Sequence, residues 1–317
     1  MTIPTTPMSA TAARSRLLQF VRSGALDLPD PGSGRTVDRW RRLFEISREE
    51  DVSVARLAEA HVDAVGILHE AGLEPVPDAT YAVWASVGTG GSDVSLERSV
   101  LEGTKPFCSG VEIVDRALVE VSTPDGRRLA EIDTTRAATW TAVGTWGSPA
   151  LAATATRGIS FRSHPVERFV GPVGWYLSRP GFWQGACGPA ACWAGGAAGL
   201  VTRQRAPDEP VRRARHGALL TETFLLESLL DRAGHSIDER PDDAARAQVV
   251  ALATRSAVHD SCLRLTEQFS RLFGPRALLD PATAQRHADV LMYIRQFHAD
   301  DDLVALSKAA EAAAATS

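Results

Sequence analysis

Strand-type sequence is confined to one central stretch of this chain, with helical periodicity on both sides. That order limits the fold more than any single motif does. Up to about residue 75, apolar residues recur at three- and four-residue steps, as in Val54, Leu57, Val62, Val65 and Leu68. The spacing predicts helices over Val37 to Ile46 and Val52 to Gly72, with Gly72 as a stop. Residues 79 to about 178 are rich in Gly, Thr, Ser, Val and Trp. Their clearest unit is a hairpin, Arg116 to Thr123 and Arg127 to Asp133, turned by Pro124-Asp125-Gly126. Thr135 to Thr141 and Gly158 to Phe161 add β-type runs. From about residue 182 the pattern is helical again. Phe182 to Gln204 is dense in Ala and Gly, which lets backbones approach closely. Leu219 to Leu230 has leucine around much of its circumference, which predicts a central buried helix. Asp242 to Phe273, ended by Gly274-Pro275, and Pro281 to about His298 complete the set.

The fold class expected is therefore α+β and multidomain. A helical domain spans 1–78, a middle β-barrel or sandwich 79–180 and a helical bundle 181–317. Residues 1–13 and the Ala-rich tail from Ala309 are expected to be disordered or frayed. Strands do not alternate with helices, so a Rossmann sheet is excluded, and no internal repeat is present. A net charge of −5 gives no broad attraction to nucleic acid or anionic membranes. The run Arg203 to Arg215, broken by Asp208 and Glu209, is expected to be a solvated loop between helices. No window reaches the roughly 18 apolar residues of a membrane span, and no signal-peptide pattern opens the chain. Cys108, Cys187, Cys192 and Cys262 lack metal-ligand spacing and fit reduced, apolar-packed thiols of a cytoplasmic protein; no metal is expected.

Two segments are equipped for ligand chemistry. Val83-Trp-Ala-Ser-Val-Gly-Thr-Gly-Gly-Ser-Asp93 offers glycines for close backbone approach and the hydroxyls of Ser86 and Ser92. It lacks the Gly-Lys-Ser/Thr of a P-loop, and a plain loop between strands would look similar. Gly103-Thr-Lys-Pro-Phe-Cys-Ser-Gly110 joins a flat ring, Phe107, to the small polar side chains of Cys108 and Ser109. Such a set suits the face and edge of an isoalloxazine, as it also suits an ordinary strand with a core Phe.

Together these segments resemble the acyl-CoA dehydrogenase superfamily. Gly91-Ser92-Asp93 matches the end of its Thr-Glu-Pro-x-x-Gly-Ser-Asp flavin loop, with Ser86 at the Thr position. Phe107-Cys-Ser-Gly110 falls on the Ile-Thr-Asn-Gly of its Trp-Ile-Thr-Asn-Gly strand, with Pro106 in place of Trp. Val143 to Ser148 and Gly158 to Pro172 resemble the late β stretch, and Arg286 to Leu303 the Arg-Asp-Ala helix and following loop. The resemblance covers about 40 to 310. It implies FAD, or FMN, touching Ala85, Ser86, Gly91, Ser92, Phe107 and Ser109, with Cys108 near N5. It also implies an acyl-CoA or other small-molecule substrate, and oligomers, homomeric or heteromeric, through the C-terminal helices.

Departures bear on the reaction. The family's two positions for a carboxylate base fall on Arg295 and near Pro189, and its substrate arginine on Ala190. The Arg-x-x-Phe-Gly signature for a neighbour's flavin phosphates is replaced by Arg-Gln-Arg-Ala-Pro from Arg203. His298 and Asp300 are the nearest replacement bases, though Asp300-Asp301-Asp302 equally suits a helix N-terminus. Three readings follow: an acyl-CoA dehydrogenase-like oxidoreductase; a flavin-dependent monooxygenase, whose strand often carries Phe-x-Ser-Gly; and a non-catalytic subunit that binds no flavin and pairs with an active relative.

Overall fold

The structure, a computed structural model, describes residues 7–86, 93–297 and 299–315. Three helices come first: α1 (Ala10–Arg22), α2 (Thr36–Glu49) and α3 (Val52–Glu70). Eight strands follow: β1 (Tyr81–Trp84), β2 (Val94–Glu97), β3 (Val100–Cys108), β4 (Arg116–Thr123), β5 (Gly126–Asp133), β6 (Trp140–Val143), β7 (Arg157–Pro165) and β8 (Arg168–Val170). The chain closes with α4 (Trp175–Ser178), α5 (Pro180–Gly185), α6 (Gly188–Thr202), α7 (Pro210–Asp238), α8 (Ala244–Phe273), α9 (Pro281–Arg295) and α10 (Ala299–Ala315). The fold is mixed α and β, with one eight-stranded sheet in the order β6-β7-β3-β2-β4-β5-β8. β1 pairs parallel with β4 at Trp84↔Val119, and β2 meets the same strand further on at Ser95↔Ser122. Both ends of the segment between β1 and β2 therefore come to the same part of β4.

The α2–α6 contact shows why α6 is built from small residues. A Cβ at Gly195 would lie 2.1 Å from the Phe44 carbonyl oxygen, so only glycine admits this approach. The Ser47 hydroxyl donates to the Cys192 carbonyl across the interface at 2.6 Å. The main apolar core runs without a break from Ala13 through sheet residues such as Val119 and Ile132 to Ile294. A smaller cluster packs Ala64, Ile67 and Leu68 of α3 on Tyr81, Leu118 and Leu129. All four cysteines are buried and free. No helix among the described residues is long and apolar enough to cross a membrane.

Several local expectations are corrected. Residues 10–13 are helical: Ser9 caps α1 by accepting from Ala12 N–H, and Ala13 is fully buried. The tail stays helical to Ala315. Ala137–Thr139 is a 3₁₀ turn, and the strand expected from Thr135 starts at Trp140. α7 buries Leu219, Leu226 and Leu230 but leaves Phe224 68% exposed, with Leu220 and Leu225 also uncovered. Leucine around much of the circumference thus marks a second apolar face that the described residues leave uncovered. The basic run is not simply solvated, because Arg203 donates to the carbonyls of Arg48, Glu49 and Glu50 at the end of α2.

Candidate functional site at the end of the third strand

Ala85 and Ser86 leave β1 half-buried and exposed, respectively. Gly91 and Ser92, like His298, lie outside the described residues. Asp93, at the far end of that segment, accepts from the Ser122 hydroxyl and from Arg127 at 3.0 Å. Beside it Lys105 is 1% exposed and donates from Nζ to the Glu120 carbonyl at 2.8 Å, so its ammonium bridges β3 and β4. Burial pulls its pKa down, against the opposing charges of Glu120 and Asp93. Sequence reasoning missed this lysine. Its signal was a lone cation inside a strand whose other charged residue is Glu102.

A bulge between Lys105 and Cys108 decides which side chains β3 presents. Phe107 takes a φ of 54° and is 67% exposed. A bulky residue at positive φ is a strained outlier, and such strain gathers at ligand-facing sites. Cys108 is fully buried, with its thiol on the Lys105 carbonyl at 3.6 Å, and burial pushes its pKa up. The thiol expected at a flavin edge is turned into the core. Phe107 and the half-buried Ser109 flank it. The Trp84 indole N–H fixes the turn by donating to the Ser109 carbonyl at 2.8 Å.

The Ser109 hydroxyl begins a row whose proton directions can be counted. Thr154 donates to the Leu151 carbonyl at 2.7 Å, which uses its only proton. The 2.7 Å contact between Thr154 and Thr156 must then be donated by Thr156. The 3.0 Å contact between Ser109 and Thr156 must in turn be donated by Ser109. Ser109 is left with lone pairs alone for anything outside the row. The Leu151 end is anchored because its N–H donates to Asp289 Oδ1 at 2.6 Å. Asp289 is 1% exposed, and burial pushes its pKa up to about 7, against the bond from Leu151. Thr154, Thr156 and Asp289 were missed in the sequence, where isolated Thr residues and one Asp on a helix carry no motif.

On the helical side, the described positions expected to carry chemistry do not carry it. Arg295 ends α9 exposed, Pro189 sits in the first turn of α6, and Ala190 is buried. Asp300 is exposed in the first turn of α10 beside Asp301 and Asp302, where acidic groups complement the helix dipole. The buried carboxylate in this area comes from α3. Glu59, 8% exposed, pairs with Arg56 at 2.8 Å and lies against Gly188, one residue before Pro189. Burial raises its pKa, with Arg56 opposing. Among the described residues no group of His, Cys, Asp or Glu is placed to hold a metal.

No protein-family profile matches the chain, and no curated protein matches it in sequence. Solved structures do match in shape. TdsC from Paenibacillus sp. A11-2, determined with FMN and indole, is 15% identical with a TM-score of 0.73, over 94% of this chain and 94% of TdsC. Butyryl-CoA dehydrogenase from Megasphaera elsdenii is 15% identical with a TM-score of 0.74, over 95% of this chain and 90% of that one. The FAD complex of PigA is 14% identical with a TM-score of 0.72, over 95% and 89%. With helices before and after one sheet, and these likenesses along nearly its whole length, the chain has the fold of the acyl-CoA dehydrogenase-type flavoproteins.

Proposed function

We propose that this protein is a flavin-dependent oxidoreductase that works with reduced flavin on a small molecule, in the manner of a flavin monooxygenase. FAD or FMN fits the end of β3. Phe107 would flank the ring, Ala85, Ser86, Gly91 and Ser92 would hold its pyrimidine side, and Ser109 would meet its edge. The exposed ring of Phe107 and the adjoining hydroxyl row support that placement. When bound, the flavin supplies electrons to oxygen. The chain's own residues position the ring and choose its redox state.

The observation that carries this reading is the committed proton of Ser109. A hydroxyl with only lone pairs to offer suits an N–H, which the central ring of reduced flavin has and that of oxidised flavin lacks. An acceptor set against an acceptor costs about 1–3 kcal/mol, or roughly ten- to a hundredfold in affinity. Acyl-thioester dehydrogenation starts instead from oxidised flavin and needs a base opposite the ring. Arg295 and Pro189 hold the two base positions, Asp300 faces solvent, Glu59 is paired with Arg56, and His298 lies outside the described residues. The uncovered face of α7 supports assembly through the C-terminal helices, with another copy or a relative.

The test is oxygen uptake by the purified protein given chemically reduced FAD or FMN, beside an anaerobic titration of the flavin-loaded protein with butyryl-CoA. Flavin-dependent uptake without bleaching is expected. Bleaching by the thioester would return the function to dehydrogenation. Failure to bind flavin in either redox state would leave the non-catalytic reading.

A further inference from the structure

One face of α3 carries charge into the interior. Arg56, Glu59, Asp63, Gly66 and Glu70 follow one another at three- and four-residue steps, so they form one stripe along the helix. α5 and the start of α6 answer that stripe with glycines. A Cβ at Gly181 would lie 2.3 Å from Glu70 Oε2, one at Gly185 3.8 Å from Asp63 Oδ1, and one at Gly188 3.2 Å from Glu59 Oε1. Glycine therefore stands opposite each carboxylate of the stripe and leaves it room.

Cations interleave with these carboxylates. Arg56 pairs with Glu59 at 2.8 Å, and Arg179, 5% exposed, reaches Glu70 at 2.7 Å and Asp63 at 3.6 Å. Arg39 of α2, also buried, donates to the Pro29 carbonyl at 3.2 Å and feels the charges of Asp63, Asp30 and Glu59. The outer end of the row opens into a cavity of about 230 Å³ lined by Arg39, Asp63, Gly66, Glu70, Arg179 and Gln184. At roughly 30 Å³ each, it has room for several waters. Arg56 Nε and Arg179 Nε are buried without a hydrogen-bond partner among the described residues, and donors of that kind are served by ordered water. At the inner end, Glu59 takes the Arg56 bond on Oε2, and its Oε1 receives none among the described residues. There α3 also meets the sheet: Leu57 Cδ2 lies 3.4 Å from where a Gly110 Cβ would stand, at the close of β3.

We propose that this row is a proton path, in which Glu59 at the inner end exchanges its proton with solvent through Asp63 and the cavity. Asp63 joins the two ends, because it lines the cavity and stands one helical turn from Glu59. Glu59 is faced by Arg56 and Asp63 of its own helix, Arg39 of α2, Tyr176 of α4, Cys192 of α6 and Tyr293 of α9. Burial raises its pKa, Asp63 adds to the rise, and Arg56 and Arg39 oppose it. A carboxyl so placed holds a proton at a pH where an exposed Glu has lost it. The interleaved arginines keep a proton moving along the row from leaving a buried charge uncompensated. The path does not rest on the flavin reading. Under that reading, it brings protons to the helical side of the site without opening it to bulk water.

The experiment is infrared spectroscopy of the full chain without added flavin, across pH and after rapid dilution into D₂O. The protonated-carboxyl band that Glu59→Gln removes should persist above the ordinary Glu range. It should exchange with deuterium faster than the buried amides of α3, which open only with the helix. Asp63→Asn keeps the shape of the side chain but cannot carry a proton. It should slow Glu59 exchange by about tenfold or more and, by removing a like charge, move the Glu59 titration to lower pH. Asp63→Glu should restore the rate. A loosened fold would speed exchange, so slowing cannot come from a folding defect. Equal exchange in the native protein and Asp63→Asn, exchange no faster than the α3 amides, or no Glu59 band above the ordinary range would overturn the path. Because the measurement uses no flavin, failure of the flavin reading leaves it intact.

Discussion

The end of β3 and the helix α6 contribute in opposite ways to the region where flavin chemistry is expected. β3 presents an exposed Phe107 on strained backbone and a hydroxyl row with fixed proton directions. α6 presents Pro189 and Ala190 where a base and a substrate arginine are expected, and its glycines are spent on packing. One element is costly to hold and free to meet a ligand, while the other is closely packed and chemically empty. On the proposed reading the sheet side would hold the flavin, while Arg295, Pro189 and Ala190 stand where the family resemblance implies a base and a substrate arginine, with Glu59 of α3 the buried carboxylate beside Gly188.

The largest effect expected is on α6. Gly195→Val places branched carbon against the Phe44 carbonyl, where a Cβ already falls at 2.1 Å. It should cost about 3 kcal/mol or more, and fail in part as lost soluble protein. Chemical denaturation reads this, and a small loss would mean that α2 and α6 are less tightly joined than described.

Asp289 comes next, because it ties α9 to the hydroxyl row. Its folded pKa is about 7, above the roughly 3.9 of an unfolded Asp. A raised folded pKa means the contribution is fully present below the unfolded value and is lost as pH rises through about 7. Asp289→Asn should therefore change stability little at pH 4 and add on the order of 2–3 kcal/mol at pH 8. Melting curves across that range check it, and equal effects at both ends would contradict it.

Phe107→Gly should separate stability from function at β3. Relief of the positive φ should stabilise the flavin-free protein by about 1 kcal/mol. Loss of the ring should weaken flavin by roughly tenfold, as a binding titration would show. Asp300→Ala should do least: turnover with reduced flavin unchanged, and about 0.3–1 kcal/mol lost from the α10 terminus. A large fall in turnover would return Asp300 to catalysis.

The order of helices and strands was legible because burial writes period into sequence. The β4–β5 hairpin appears where expected, with β5 starting one residue early at Gly126, which pairs with Thr123 across Pro124-Asp125. The small-residue character of α6 also announced its close packing. The side on which β3 shows each residue was not legible. A single bulge sends Cys108 inward and Phe107 outward, and bulges leave no fixed signature in composition. Nor could the row from Ser109 to Leu151 be foreseen, because β7 and the turn before it bring Thr156 and Thr154 across from far along the chain. The apolar face of α7 misled in the other direction: periodicity records what is to be covered, not whether this chain covers it.

The direct test of the central claim is the ratio of reduced to oxidised flavin affinity, measured anaerobically in the native protein and in Thr156→Val. Native protein should hold the reduced form at least about tenfold more tightly. Removing the Thr156 hydroxyl frees the Ser109 proton to point outward, so the ratio should fall about tenfold in the variant. An unchanged ratio in Thr156→Val, or a native preference for oxidised flavin, would contradict the account.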